Sequence, residues 1–180
     1  MNLWPQFDAT ANASLPAEEI LDVRQSADFG WPYCYFDPFQ NKRVEAPEYG
    51  GDGRKTGDCA RYAKPAATFP AHYAPLDLLF YSGATFPAQY RSGVFVSFHG
   101  SWNRAPLPEE GYNVMFLPMR GNAASGPASV FADGFAGTPA PSPTSAQHRP
   151  VGLAESRDGG MYVSDDSNGR IWKISYIGTR

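Results

Sequence analysis

The sequence is short of charge, of cysteine and of long apolar runs, and each shortage excludes a class of protein. Fifteen Lys and Arg against eighteen Asp and Glu leave a formal charge of −3, and charged residues fill only 18% of 180 positions. That is below the ~25% usual for a soluble domain. No cluster of Lys or Arg is present to track a phosphate backbone, which argues against nucleic-acid binding. The longest apolar stretches, such as Leu78–Tyr81 and Val94–Val96, fall far short of the ~18 residues of a membrane helix, so no membrane span is expected. No basic residue precedes Arg24 and no apolar core lies near it, so the N-terminus does not read as a secretory signal. Two cysteines, Cys34 and Cys59, cannot make a four-thiolate zinc site, and neither CxxC nor CxxCH occurs. They can form one disulfide, which requires an oxidising compartment. Spacing alone leaves that pairing open.

What is present in excess is turn-formers and aromatics. The chain has 18 Gly and 17 Pro with four Trp, ten Tyr and twelve Phe, and 42% of it is hydrophobic. Such a chain buries a core rather than staying disordered. Its length suits one domain, and its composition favours many short strands joined by tight turns over a helix bundle.

The first seventy residues read as irregular. Glu18–Gln25 is either a strand or a helical turn, Phe29–Tyr35 is aromatic but interrupted by Gly and Pro, and Gly50–Gly53 marks a long loop. Cys34 and Cys59 stand at the two ends of that loop, so they are expected within bridging distance. From residue 76 the reading sharpens. Leu76–Tyr81, Val94–Phe98, Tyr112–Leu117 and Ser129–Ala132 are short strand-like segments. A low-complexity connector, Gly134–Gln147, follows with too little apolar content to pack. Then come Val151–Glu155, Met161–Ser164 and Arg170–Tyr176. Regular short strands with this punctuation indicate a sandwich, barrel or propeller. An internal repeat separates these: Gly93–Ser97 and Gly160–Ser164 both run from Gly through an alternating strand to Val-Ser. Repeated meanders favour a β-propeller.

Three loops carry chemically capable side chains. His99-Gly-Ser-Trp-Asn-Arg104 is the densest cluster, placed directly after a strand. Gln147-His148-Arg149-Pro150 precedes the next strand, and His72 with Tyr73 precedes another. Each has a structural alternative, with Trp102 filling a gap between blades, His99 capping a carbonyl and Arg149 held at the surface by its X-Pro step. Asp165–Gly169 lacks the alternating acids of a calcium loop and reads better as an Asx turn. Gly50–Thr56 has Arg54 where a phosphate loop needs glycine before its lysine, and is rejected. Asn12-Ala13-Ser14 is a glycosylation sequon by pattern only, and no GxSxG elbow is present.

Taken in order, these segments resemble the quinoprotein glucose/sorbosone dehydrogenases. The similarity is carried by Leu15–Glu19, Ala27–Tyr35, Ala46–Gly53, Ala71–Asp77, His99–Arg104, His148–Leu153, Tyr162–Asp166 and Gly169–Trp172, and runs from about residue 15 to residue 176. The resemblance implies an all-β fold, an incomplete arc of C-terminal blades from a six-bladed β-propeller that binds pyrroloquinoline quinone (PQQ) and calcium and oxidises aldoses or sorbosone-like aldehydes. Its domain plan is a partial blade and loop over 1–70, a four-stranded blade over 71–134, a connector over 135–148 and a last blade over 149–180. Arg149 looks like a PQQ-contacting arginine, and the His99–Arg104 loop falls where the family places a PQQ-contacting lysine. The implied cofactor-binding set is therefore His99, Trp102, Asn103, Arg104, His148 and Arg149, with His72 and Tyr73 near the sugar. The family's catalytic base and calcium loop lie upstream of the segment matched from Leu15, so catalytic and metal residues stay unassigned. At ~40–45 residues per blade, six blades need upward of roughly 250 residues. The implied setting is periplasmic or secreted, with a sugar substrate and an electron acceptor such as a cytochrome or quinone. A non-catalytic binding module and a lactone or ester hydrolase on the same scaffold are the rival readings.

Overall fold

Glycine and proline spacing limits the strands to a few residues each, and the computed structural model is accordingly almost all strand and turn. Its described residues are Trp4, 7–139 and 141–178; the remaining positions of the expected domain plan, residue 140 of the connector among them, lie outside these. Where a single domain is expected, the chain gathers into two compact units, one of residues 1–72 with 103–108, the other of residues 73–102 with 109–180.

In the first unit the α-helix α1 (Ala9–Ser14) is capped by Asp8, whose carboxylate accepts the Ala11 N–H at 2.8 Å. Strand β1 (Glu18–Ile20) pairs antiparallel with β4 (Ala67–Phe69), and β2 (Cys34–Asp37) with β3 (Lys42–Glu45). The region read as irregular thus holds a hairpin, closed by Asp37 Oδ1 accepting the Phe39 and Gln40 N–H groups. Its strands are four residues long and buried on both faces, so neither shows the alternation that marks a strand in sequence. Glu18–Gln25 resolves as the short strand β1. Asn12 is 3% exposed; its amide donates to the carbonyls of Trp4, Phe7 and Asp8 and accepts the Trp4 N–H. Its sequon is therefore a buried tie rather than a glycan site. Trp4, Leu15, Tyr35, Val44 and Ala46 form the core. A Cys34–Cys59 disulfide, Cα atoms 5.8 Å apart, joins β2 to the 3-10 turn Gly57–Arg61.

The second unit holds β5 (Pro75–Phe80), β6 (Gly93–Phe98), β7 (Asn113–Arg120), β8 (Ala123–Ala124) and β9 (Ser129–Ala132). Their sheet runs in the order β5-β6-β7-β9, with β8 a short hairpin on the end of β7. Strands β10 (Pro150–Glu155), β11 (Met161–Asp165) and β12 (Ile171–Ile174) form a second antiparallel sheet. Apolar side chains from both sheets share one core of Tyr81, Phe86, Phe95, Val114, Phe116, Phe135, Met161 and Val163. Polar ties lace the sheets together: Asp77 Oδ2 accepts the Leu153 N–H at 2.7 Å, and the Tyr81 hydroxyl donates to the Gly159 carbonyl at 2.6 Å. The connector departs from its expected unpacked state. Phe135 is buried edge-on to Trp172, and the Gln147 and His148 N–H groups bond back to Ala136 and Phe135. One aromatic in a Gly-, Pro- and Ser-rich stretch is enough to anchor it.

Candidate functional site

The candidate rim of the second unit is built where β6 ends. Past Phe98 the chain turns at Gly100, with φ +94° and an ideal Cβ only 2.3 Å from the Tyr112 ring. A left-handed backbone under a packed ring admits glycine alone. Ser101 is fully buried; its Oγ accepts the Glu110 N–H at 2.8 Å and its carbonyl accepts the Tyr112 hydroxyl at 2.6 Å. The loop backbone is therefore fixed before any side chain is considered.

Arg149 enters this loop from the start of β10. Its Nε donates to the His99 carbonyl at 3.0 Å and its Nη2 to the Gly100 carbonyl at 2.9 Å, with the guanidinium carbon 5.6 Å from the Tyr112 ring centroid. Both acceptors are neutral, and no carboxylate among the described residues pairs with it. Held by carbonyls and an aromatic face, this half-buried guanidinium keeps its positive charge uncompensated by a carboxylate among the described residues. The Tyr112 phenol is pushed up chiefly by burial, with Glu109 adding to this and Arg149 opposing it.

Two adjacent acids hold the rest of the rim. Asp165 is buried and accepts the Arg149 N–H (2.8 Å), His148 Nδ1 (2.7 Å), and the N–H groups of Ser167 (3.0 Å) and Asn168 (3.2 Å). Burial works against its charge, but these donors prevail and hold the carboxyl at about 2. Asp165 thereby fixes the His148 tautomer, with the proton on Nδ1 and the ring edge-on to Trp172 at 5.3 Å. Asp166 bonds His99 Nε2 at 2.9 Å. Asp165–Gly169 is the Asx turn anticipated, and its first carboxylate is spent on protein donors.

Of the residues singled out in the sequence, His99, His148 and Arg149 come together through this network. Trp102 belongs to the same unit and is 61% exposed. Tyr73, also in this unit, donates its hydroxyl to Glu110 Oε2 at 2.8 Å and packs edge-on against Phe98. The other candidates belong to the first unit. His72, at φ +66°, bonds the Asn12 carbonyl through Nε2 at 2.7 Å. Arg104 is buried, donates to the Pro108 carbonyl at 2.8 Å, and lines a recess of about 350 Å³ with Phe39, Phe69 and Pro70. Asn103 is half-buried beside it. Sequence reading missed Tyr112 and the positioning roles of Asp165 and Asp166. Among the described residues no three His, Cys, Asp or Glu side chains gather as a metal-binding group.

Two antiparallel meander sheets sharing a core fit an incomplete arc of a β-propeller. The chain belongs to the TrAA12-like family, which it matches over residues 12–176, and AA12 is a family of PQQ-dependent oxidoreductases. It is 29% identical over 188 residues to a pyrroloquinoline quinone-dependent pyranose dehydrogenase of Coprinopsis cinerea, covering 88% of this chain and 25% of that protein. The calcium structure of a Trichoderma reesei AA12 enzyme superposes with a TM-score of 0.70 at 22% identity, covering 91% of this chain and 44% of that one. The soluble aldose sugar dehydrogenase of Escherichia coli gives 0.55 at 18% identity, over 88% and 38%. The chain thus spans between a quarter and less than half of these relatives. None of its described helices is long and apolar enough to cross a membrane.

Proposed function

We propose that this chain supplies part of the cofactor pocket of a PQQ-dependent sugar dehydrogenase, acting on aldoses or sorbosone-like aldehydes and passing electrons to a cytochrome or quinone. The observation that carries this reading is Arg149, oriented by two backbone carbonyls and left without an acidic partner. Its planar fork suits a carboxylate of PQQ, which when bound would supply the two-electron redox chemistry. His99, His148 and the exposed ring of Trp102 would complete the polar and aromatic lining. Tyr73 on the substrate side and calcium from outside the described residues are assigned by family resemblance. The Cys34–Cys59 disulfide supports a periplasmic or secreted setting.

PQQ titration of the chain, read by quenching of tryptophan fluorescence, tests the proposal. Arg149→Ala should weaken binding roughly 10- to 150-fold, the equivalent of about 1.5–3 kcal/mol for a charge-assisted bond. Equal affinity of variant and parent would remove Arg149 from the pocket.

A further inference from the structure

We propose that the opposite end of the β5-β6-β7 sheet carries a second binding site, for a small organic anion: a hexose-sized ring bearing phosphate or carboxylate oxygens. An open recess of about 700 Å³ lies where β5 and β7 end and β6 begins. Arg91 and Arg120 both line it, and no Asp or Glu does. In a chain of net charge −3 this is a local reversal of sign.

The two arginines are placed by the backbone. Arg91 closes the 3-10 turn Ala88–Tyr90, its N–H bonded to the Ala88 carbonyl at 3.2 Å and its Nη2 to the Ala84 carbonyl at 3.1 Å. Arg120 is the last residue of β7 and pairs with Ala123 across a two-residue turn that Gly121 begins at φ +59°. Neither pairs with a carboxylate among the described residues. Arg91 therefore repeats the arrangement of Arg149, a guanidinium anchored on a neutral carbonyl with donors left over. Like charges gathered without a counter-ion are relieved by an oxyanion between them, and the guanidinium fork matches both carboxylate and phosphate.

The remaining lining narrows the ligand class. Gln89, Ser92 and Ser125 offer neutral hydrogen-bonding groups suited to hydroxyls, while Phe80, 61% exposed, and Tyr81 offer an apolar wall for a ring. The recess cannot share a ligand with the Arg149 rim. Arg120 and Asn113 are the two ends of one eight-residue strand, seven steps of ~3.3 Å or roughly 23 Å apart, and Asn113 is the end next to Tyr112.

The test is a titration of the isotopically labelled chain with inorganic phosphate, glucose 6-phosphate, glucuronate and, as neutral control, glucose. Amide shifts centred on Gly93, Arg120 and Gly121 are expected with the anions and not with glucose. Tighter binding of the phosphate ester than of glucuronate would identify a phosphorylated ligand, and the reverse order an acidic sugar. The double variant Arg91→Gln with Arg120→Gln, both exposed and so expected to fold, should lose at least tenfold in affinity while its PQQ titration is unchanged. The proposal is overturned if no anion shifts these amides at about 10 mM, if glucose shifts them equally, or if the double variant binds as the parent does. The PQQ arm keeps this outcome separate from the fate of the Arg149 reading.

Discussion

Reducing the Cys34–Cys59 bridge is expected to unfold one unit and leave the other standing. The bridge links the start of β2 to the 3-10 turn Gly57–Arg61 across a sequence separation of 25. In the chain-entropy treatment a loop of that size restricts the unfolded chain by about 3.5 kcal/mol at 25 °C. The core it supports is small, with Trp4, Leu15, Tyr35, Val44 and Ala46 at its centre. Against a typical total of ~5–15 kcal/mol, the loss is a large fraction. For a unit of fewer than a hundred residues it corresponds to a fall in Tm of about 14–28 °C. The second unit contains no cysteine and has its own shared core, so its Tm should hold. Native-state hydrogen exchange separates the two, with the Val44 amide reporting on the first unit and Val163 on the second. The measurement compares the chain with and without reductant, alongside the Cys34→Ala, Cys59→Ala double variant. Unchanged protection at Val44 would refute the entropy argument. Equal loss at Val44 and Val163 would refute the independence of the units.

The remaining expectations concern the second unit. Asp165 is held at about 2, below the ordinary ~3.9 of the unfolded chain; its contribution to stability is therefore complete above about pH 4 and is lost as pH falls toward 2. Asp165→Ala should abolish that acid-side dependence in a far-UV CD titration, and an unchanged profile would contradict the assignment. Phe95 is fully buried and touches the rings of Tyr81, Phe86, Tyr90, Phe116 and Phe131, so Phe95→Ala should cost about 3–5 kcal/mol in urea denaturation. A cost below about 1 kcal/mol would mean the core is looser than described. The 180-residue chain, which spans 38–44% of the Trichoderma and Escherichia structures, should not by itself reduce a dye acceptor with PQQ, calcium and an aldose. Turnover by a monodisperse monomer would overturn that expectation.

The strands of the second unit, apart from the two-residue β8, were legible because they are short apolar segments set between Gly-, Pro-, Ser- and Asn-rich turns. Expected Leu76–Tyr81 and Val94–Phe98 differ by one residue from β5 and β6, and Ser129–Ala132 coincides with β9. Strands β2 and β3 escaped for a physical reason: they are buried on both faces, and Arg43 sits in that interior through Glu19 at 2.7 Å and the Ala63 carbonyl at 2.6 Å. A charged residue whose partner is 24 positions away cannot be recognised as internal from local pattern. In the rim, His99 and Arg149 were legible as loop side chains next to strands. Asp166 could have been found from the repeat, because Ser97 and Ser164 end matching segments and His99 and Asp166 each follow by two. Asp165 was legible as the head of an Asx turn but its hold on His148 and Arg149, 17 and 16 positions away, was not, and Tyr112 acts through ring and hydroxyl contacts that leave no motif.

That correspondence has a consequence for how the rim could change. The 2.9 Å bond between His99 and Asp166 joins two homologous places, one on each sheet, so the scaffold does not dictate which place carries the ring and which the carboxylate. The exchange His99→Asp with Asp166→His would restore the same bond with its polarity reversed. Arg149, meanwhile, is tethered to the residue-99 carbonyl and not to its side chain. The cation would stay put while the titratable ring moved to the other sheet. Where the cation sits and where the imidazole sits are thus separable features of this rim, free to drift independently of each other.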